Sequence, residues 1–122
     1  MSTIKDKNLA TIGQQEVDWA ARQMKVLEEI KTEFSSSKPL NGLNIGACMH
    51  VTKETANLML TLKAAGANVA LCASNPLSTK DSVAAYLSEN DIEVHAVHGV
   101  SNDDFFKHLN SVLDTKPDIT MD

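Results

Sequence analysis

Three times along this sequence a short apolar run gives way to a helix-patterned segment, and that alternation limits the fold more than any other feature. Leu43 to Met49, Asn68 to Cys72 and Glu93 to Val97 have the length and character of strands, and Pro117 to Met121 begins a fourth. Between them lie three helical segments. One runs from Thr52 to about Ala65, with Gly66 placed for a left-handed cap. The next is opened by Ser78, carries Asp81 in its first turn, and closes at Asn90-Asp91. The third spans Asn102 to Asp114 with an apolar face of Phe105, Phe106, Leu109, Val112 and Leu113. A long helix from about Gln14 to Phe34 precedes them all. Its stripe of Val17, Ala20, Ala21, Met24, Leu27, Ile30 and Phe34 is spaced by threes and fours. Ser35-Ser36-Ser37-Lys38-Pro39 is expected to break it. Strands that alternate with helices require crossover connections, so the pattern predicts an α/β fold with a parallel sheet covered on its faces.

Composition narrows the function classes. The chain has 122 residues, 43 % hydrophobic and only 4 % aromatic, so one modest core must be built from aliphatic side chains. Eleven basic against sixteen acidic residues leave a net charge of −5, which lacks the basic footprint of a nucleic-acid binder. No apolar run approaches the roughly 18–20 residues that span a bilayer, and the first residues carry no signal-peptide pattern. Cys48 and Cys72 sit in apolar runs outside any CxxC spacing. They are expected as small core residues of a protein of the reducing cytoplasm. His50, His95, His98 and His108 lack metal-ligand spacing, and neither GxGxxG nor GxxxxGK[ST] occurs, so no metal or phosphate cradle is predicted. His95 is expected in the core or on a strand face, and His108 on a polar helix face.

In an open parallel sheet, ligands bind beyond the carboxyl ends of the strands. That rule selects His50, Thr52 and Glu54 after the first strand, Ser74, Asn75, Ser78 and Thr79 after the second, His98 after the third, and Asp122 after the fourth. The first group is the richest. Imidazole exchanges protons near neutral pH, while a hydroxyl and a carboxylate can bond a base or sugar. Two readings stand side by side, and spacing alone favours the plainer one. In it, Thr52 caps the next helix, Glu54 complements its dipole, and His50 is a loop residue. Asn75-Pro76 similarly marks a turn and Ser78 serves as an N-cap.

The wording of these loops adds what spacing lacks. Lys38-Pro39-Leu40-Asn41-Gly42, His50-Val51-Thr52-Lys53-Glu54-Thr55-Ala56 and Asn75-Pro76-Leu77-Ser78-Thr79-Lys80-Asp81 resemble the N-terminal region of the adenosylhomocysteinase (S-adenosyl-L-homocysteine hydrolase) family. Asp18-Trp19-Ala20 and the Leu62-Lys63-Ala64-Ala65-Gly66-Ala67 helix end do so as well, and the likeness covers nearly the whole chain in order. Asn-Pro-Leu-Ser-Thr is most similar to archaeal and some bacterial members. The resemblance implies a Rossmann-like three-layer α/β/α domain after a long N-terminal helix, with residues 1–122 the N-terminal segment of the substrate-binding domain.

The same resemblance implies reversible hydrolysis of S-adenosyl-L-homocysteine to adenosine and L-homocysteine. A tightly held NAD would oxidise the ribose 3′ position, the thiol would be eliminated, water added and the hydride returned. His50 matches the histidine near the ribose and leaving group. Thr52 and Glu54 match the pair that holds the adenine, and Asn75 and Ser78 match polar residues of the second loop. Lys80 stands where many members have glutamine. Asp122 matches the first of two consecutive aspartates, of which the second would contact substrate. The NAD-binding domain has no counterpart here, so the expectation is an inactive 122-residue chain and an active full-length homo-oligomer, a tetramer by family. A non-catalytic binding or regulatory homologue is the alternative. A flavodoxin-like signalling domain would call for clustered acidic residues after the first strand, where His50 and Thr52 stand.

Overall fold

In the computed structural model, which describes residues 1–122, strand β1 (Asn44–Cys48) lies between β2 (Asn68–Cys72) and β4 (Ile119–Met121), with β3 (Glu93–His95) outside β2. All pairings are parallel, with Ile45 opposite Val69 and Ile119, and Leu71 opposite Val94. The chain therefore steps from β1 to one side through β2 and β3, then crosses back to place β4 on the other side. The fold is the expected parallel α/β architecture. Its reversal of direction at β1 creates a crevice beyond the β1 and β4 carboxyl ends, where such sheets take ligands.

Side-chain alternation along the strands divides the core in two. Ile45, Ala47, Val69, Leu71 and Val94 join Ala56, Met59, Val83 and Leu87 in one cluster of sixteen buried residues. Helices α3 (Lys53–Ala64) and α4 (Asp81–Glu89) supply that layer, and α1 (Ala10–Ala21) packs over both. On the opposite face Ala70, Cys72 and Val112 form a smaller cluster beneath α5 (Asn102–Leu113). Gly13 sets the distance between α1 and α4. A Cβ there would lie 1.9 Å from the Ser82 carbonyl oxygen, so only glycine permits this crossing. Gly66, at φ +99°, makes the left-handed cap after α3 as expected.

The single long N-terminal helix is instead two. After α1 the amides of Gln23 and Met24 bond three residues back, to Ala20 and Ala21, and Met24 leaves helical geometry before α2 (Lys25–Ser37) begins. No proline or glycine marks the break. The cause is tertiary: α1 packs on α3 and α4, whereas α2 packs on α3 and buries none of its residues fully. The second helix does end within the Ser35–Pro39 segment, as expected, with Ser37 its last residue. Ser35 and Ser37 donate to the carbonyls of Lys31 and Glu33, four residues back, and the chain turns at Lys38 with φ +44°.

Three further expectations change. Ser78 does not cap α4, whose N-cap is Lys80 without a side-chain bond. His108 lies on the inner face of α5, 8 % exposed, while Phe106 and Leu113 from the expected apolar face are 57 % and 51 % exposed. The third strand stops at His95, and its outer edge is covered by Thr3, whose amide donates to the Val94 carbonyl at 2.8 Å. His95 is buried, as expected, with Nδ1 3.1 Å from the Thr3 hydroxyl.

Candidate functional site

The turns following β1 and β2 are laced together by backbone bonds. The Val51 amide donates to the Ser78 carbonyl at 2.8 Å, and the Lys80 amide donates to the Val51 carbonyl at 2.9 Å. Val51, fully buried, anchors this crosslink from the core side. The residues on either side of it, His50 and Thr52, are thereby held at the mouth of the sheet.

His50 and the second loop form one hydrogen-bonded chain. The register that sets Cys48 opposite Cys72 also sets His50 opposite Ser74 two residues later, and His50 Nδ1 hydrogen-bonds the Ser74 hydroxyl. Ser74 Oγ is 3.2 Å from Ser78 Oγ. Ser78 accepts from the Asn75 amide at 3.1 Å and donates to the Asn75 carbonyl at 3.1 Å. Because the Ser78 proton goes to that carbonyl, the chain is satisfied throughout in one direction. His50 Nδ1–H donates to Ser74, and Ser74 donates to Ser78. The imidazole Nε2 takes no part in this chain. Asn75 itself is occupied by the turn, its Oδ1 accepting from the Leu77 amide at 2.9 Å.

Thr52 and Glu54 belong to a second group. The Thr52 hydroxyl accepts from the Thr55 amide at 3.4 Å and caps α3, as its position suggested. Glu54, in the first turn, is half exposed and pairs with Lys53 at 3.1 Å. Partial desolvation raises its pKa, but its own backbone N–H, the Lys53 ammonium and the Thr52 hydroxyl outweigh this and hold the carboxyl below its ordinary value. Lys53 in turn lies over the Trp19 ring, 5.8 Å from its centroid. Glu54 and Thr55 form the polar side of a groove of about 600 Å³ between α2 and α3, whose apolar side is Met24, Leu27, Ile30, Met49 and Leu58. The structure thus brings His50, Asn75 and Ser78 together through Ser74, and sets Thr52 and Glu54 at the head of α3 beside an apolar groove.

The strand-end rule selects Ser74 but neither Thr55 nor Met49, which line the groove. Ser74 was legible, because strand register alone aligns it with His50. The groove was not, because its far wall exists only where the N-terminal helix breaks at Met24. His98 stands apart, its amide bonded to Asp81 Oδ1 at 3.0 Å. Asp122 follows β4 beside the end of β1. No three metal-ligating side chains come together, and no helix is long and apolar enough to cross a membrane.

The class this arrangement defines is an open parallel α/β domain with a polar cluster beyond the carboxyl ends of β1 and β2 and an apolar groove between α2 and α3. Comparison with known proteins is specific about the family. The model of the S-adenosyl-L-homocysteine hydrolase family matches residues 1–122. The chain is 49 % identical over 120 residues to the adenosylhomocysteinase of Aquifex aeolicus, covering 98 % of this chain and 29 % of that protein. It is 47 % identical over 119 residues to that of Sulfolobus acidocaldarius, and 48 % over 120 residues to that of Thermosynechococcus vestitus, with 98 % of this chain covered in both. The chain belongs to the S-adenosyl-L-homocysteine hydrolase family. It spans about 29 % of the length of the Aquifex and Sulfolobus relatives.

Proposed function

We propose that residues 1–122 are the N-terminal segment of the substrate-binding domain of an adenosylhomocysteinase, which interconverts S-adenosyl-L-homocysteine with adenosine and L-homocysteine. His50 transfers a proton near the ribose and leaving thiol, Thr52 and Glu54 hold the adenine, and Asn75 and Ser78 fix the substrate loop. The observation that carries this reading is the chain from His50 through Ser74 and Ser78 to the Asn75 carbonyl. It fixes the imidazole at the mouth of the sheet with Nε2 outside the hydrogen-bonded chain, the placement a proton-transferring group needs. The groove suits a flat purine: Met49, Leu27 and Leu58 offer apolar faces, and the ionised Glu54 accepts from an exocyclic amine.

NAD does not fit the residues of this chain. The β1–α3 turn, Met49 to Thr52, has no glycine, and Val51 is buried beneath the second loop, so no dinucleotide pyrophosphate can approach the α3 N-terminus there. In our reading NAD binding, tetramer contacts and the remaining catalytic groups belong to the rest of a cytoplasmic full-length enzyme.

Two measurements test the proposal. In the full-length protein, His50→Ala should lower kcat by about 10²-fold or more with little change in KM, whereas Glu54→Ala should chiefly weaken adenosine binding. Normal turnover in the His50 variant would refute its role. A thiol-release assay on the 122-residue chain alone should show no turnover, and turnover there would refute the segment reading.

A further inference from the structure

Cys48 and Cys72 end β1 and β2 as register partners. Both fall on the α5 side of the sheet, alternating with Ala47 and Leu71, which face the larger cluster. Neighbouring strands lie about 4.8 Å apart, so two side chains in register on one face stand next to each other. Leu109 and Val112 cover them, and both cysteines line one cavity of about 110 Å³ that reaches Thr120 and Asp122 at the end of β4. Cys72 is fully buried and Cys48 partly so. Cys48 Sγ donates weakly to the Ala73 carbonyl at 3.5 Å. Burial first, then the adjacent Cys48 sulfur, push the Cys72 thiol up to about 12. The proposed reaction uses neither sulfur.

We propose that Cys48 and Cys72 form a dithiol site that captures a trivalent arsenic oxyacid, arsenite. Each thiol displaces one hydroxide of As(OH)3. Two As–S bonds form, two As–O bonds break, and the thiol protons leave with the hydroxides as two waters. The product, (Cys-S)2As–OH, involves no change of oxidation state and carries no charge. That neutrality suits an apolar cavity, where an isolated ion would be strongly disfavoured. Other thiol chemistry fits less well. A buried thiol with so high a pKa yields little thiolate to attack a peroxide. Zinc asks for four ligands, and no third ligating side chain joins these two.

The experiment is arsenite titration of the purified, fully reduced protein in a thiol-free anaerobic buffer, read by intact mass and by arsenic X-ray absorption spectroscopy. One arsenic per dithiol, with two sulfur neighbours and one oxygen, is expected, and 2,3-dimercaptopropanol should remove it. Cys48→Ser and Cys72→Ala should each weaken binding at least tenfold. The second change leaves no buried hydroxyl, so its fold should be retained. Wild-type affinity in either variant, no arsenic uptake by the wild type, or a sulfur coordination number of one or three would overturn the proposal.

Discussion

Gly13→Ala tests the packing that positions the second loop, because two physical effects predict opposite signs. In a helix interior, replacing glycine by alanine stabilises by about 0.5–1 kcal/mol through lost unfolded-state freedom. Here the added methyl would lie 1.9 Å from the Ser82 carbonyl oxygen, 2.6 Å from its carbon and 3.0 Å from Tyr86 Cβ. Ordinary contact would require α1 and α4 to part by more than about 1 Å, and the obstacle is backbone, which cannot rotate away. Overpacking of this kind costs about 1–3 kcal/mol and sometimes more. With the upper end offset by about 1 kcal/mol of propensity, the net expectation is destabilisation of about 2 kcal/mol. In a domain of this size that lowers Tm by roughly 6–10 °C. Urea and thermal denaturation followed by circular dichroism measure it, with the exposed neighbour Gln14→Ala as control, expected within about 0.5 kcal/mol of wild type. A Gly13→Ala protein as stable as wild type would refute the close-approach argument.

Other predictions concern polar groups. Thr79 is buried with its hydroxyl unpartnered, so Thr79→Val, nearly isosteric, should be neutral or stabilising by about 1 kcal/mol in urea unfolding; a loss of that size would reveal an essential hydroxyl. His95 and His108 both have lowered pKa values, chiefly from burial, with Glu93 and Asp104 pulling the other way. The unfolded chain therefore binds more protons than the folded one. Their contribution is complete above the unfolded pKa near 6.5 and is lost as pH falls below it. The urea midpoint should drop between about pH 7 and pH 5, and replacing both histidines with asparagine should flatten that drop. Ser74→Ala should hardly alter stability, since its bonds are exposed, but should release the His50 tautomer. Nitrogen-15 NMR of the imidazole would then change from an Nδ1–H signature to a mixture, and an unchanged spectrum would remove Ser74 from the orienting role.

The alternation of apolar runs and helical stripes determined the parallel sheet, because burial on both faces and crossover connections leave few other arrangements. Thr52 as a cap and Gly66 as a left-handed terminator were equally legible, since both depend on neighbours within a few residues. The loop wording carried the family. Tertiary structure decided what depends on distant partners. The helix stripe from Val17 to Phe34 is continuous in sequence, but its two halves face different supports, so it breaks at Met24 and opens the groove beside Glu54. His108 has a polar sequence neighbourhood, yet the sheet lies beneath it. Ser78, a plausible cap by its position, is drawn instead into the chain that orients His50. Local chemistry was written in the order of residues, whereas the pairing of Ser74 with His50 and of Cys48 with Cys72 exists only because two strands lie side by side in register.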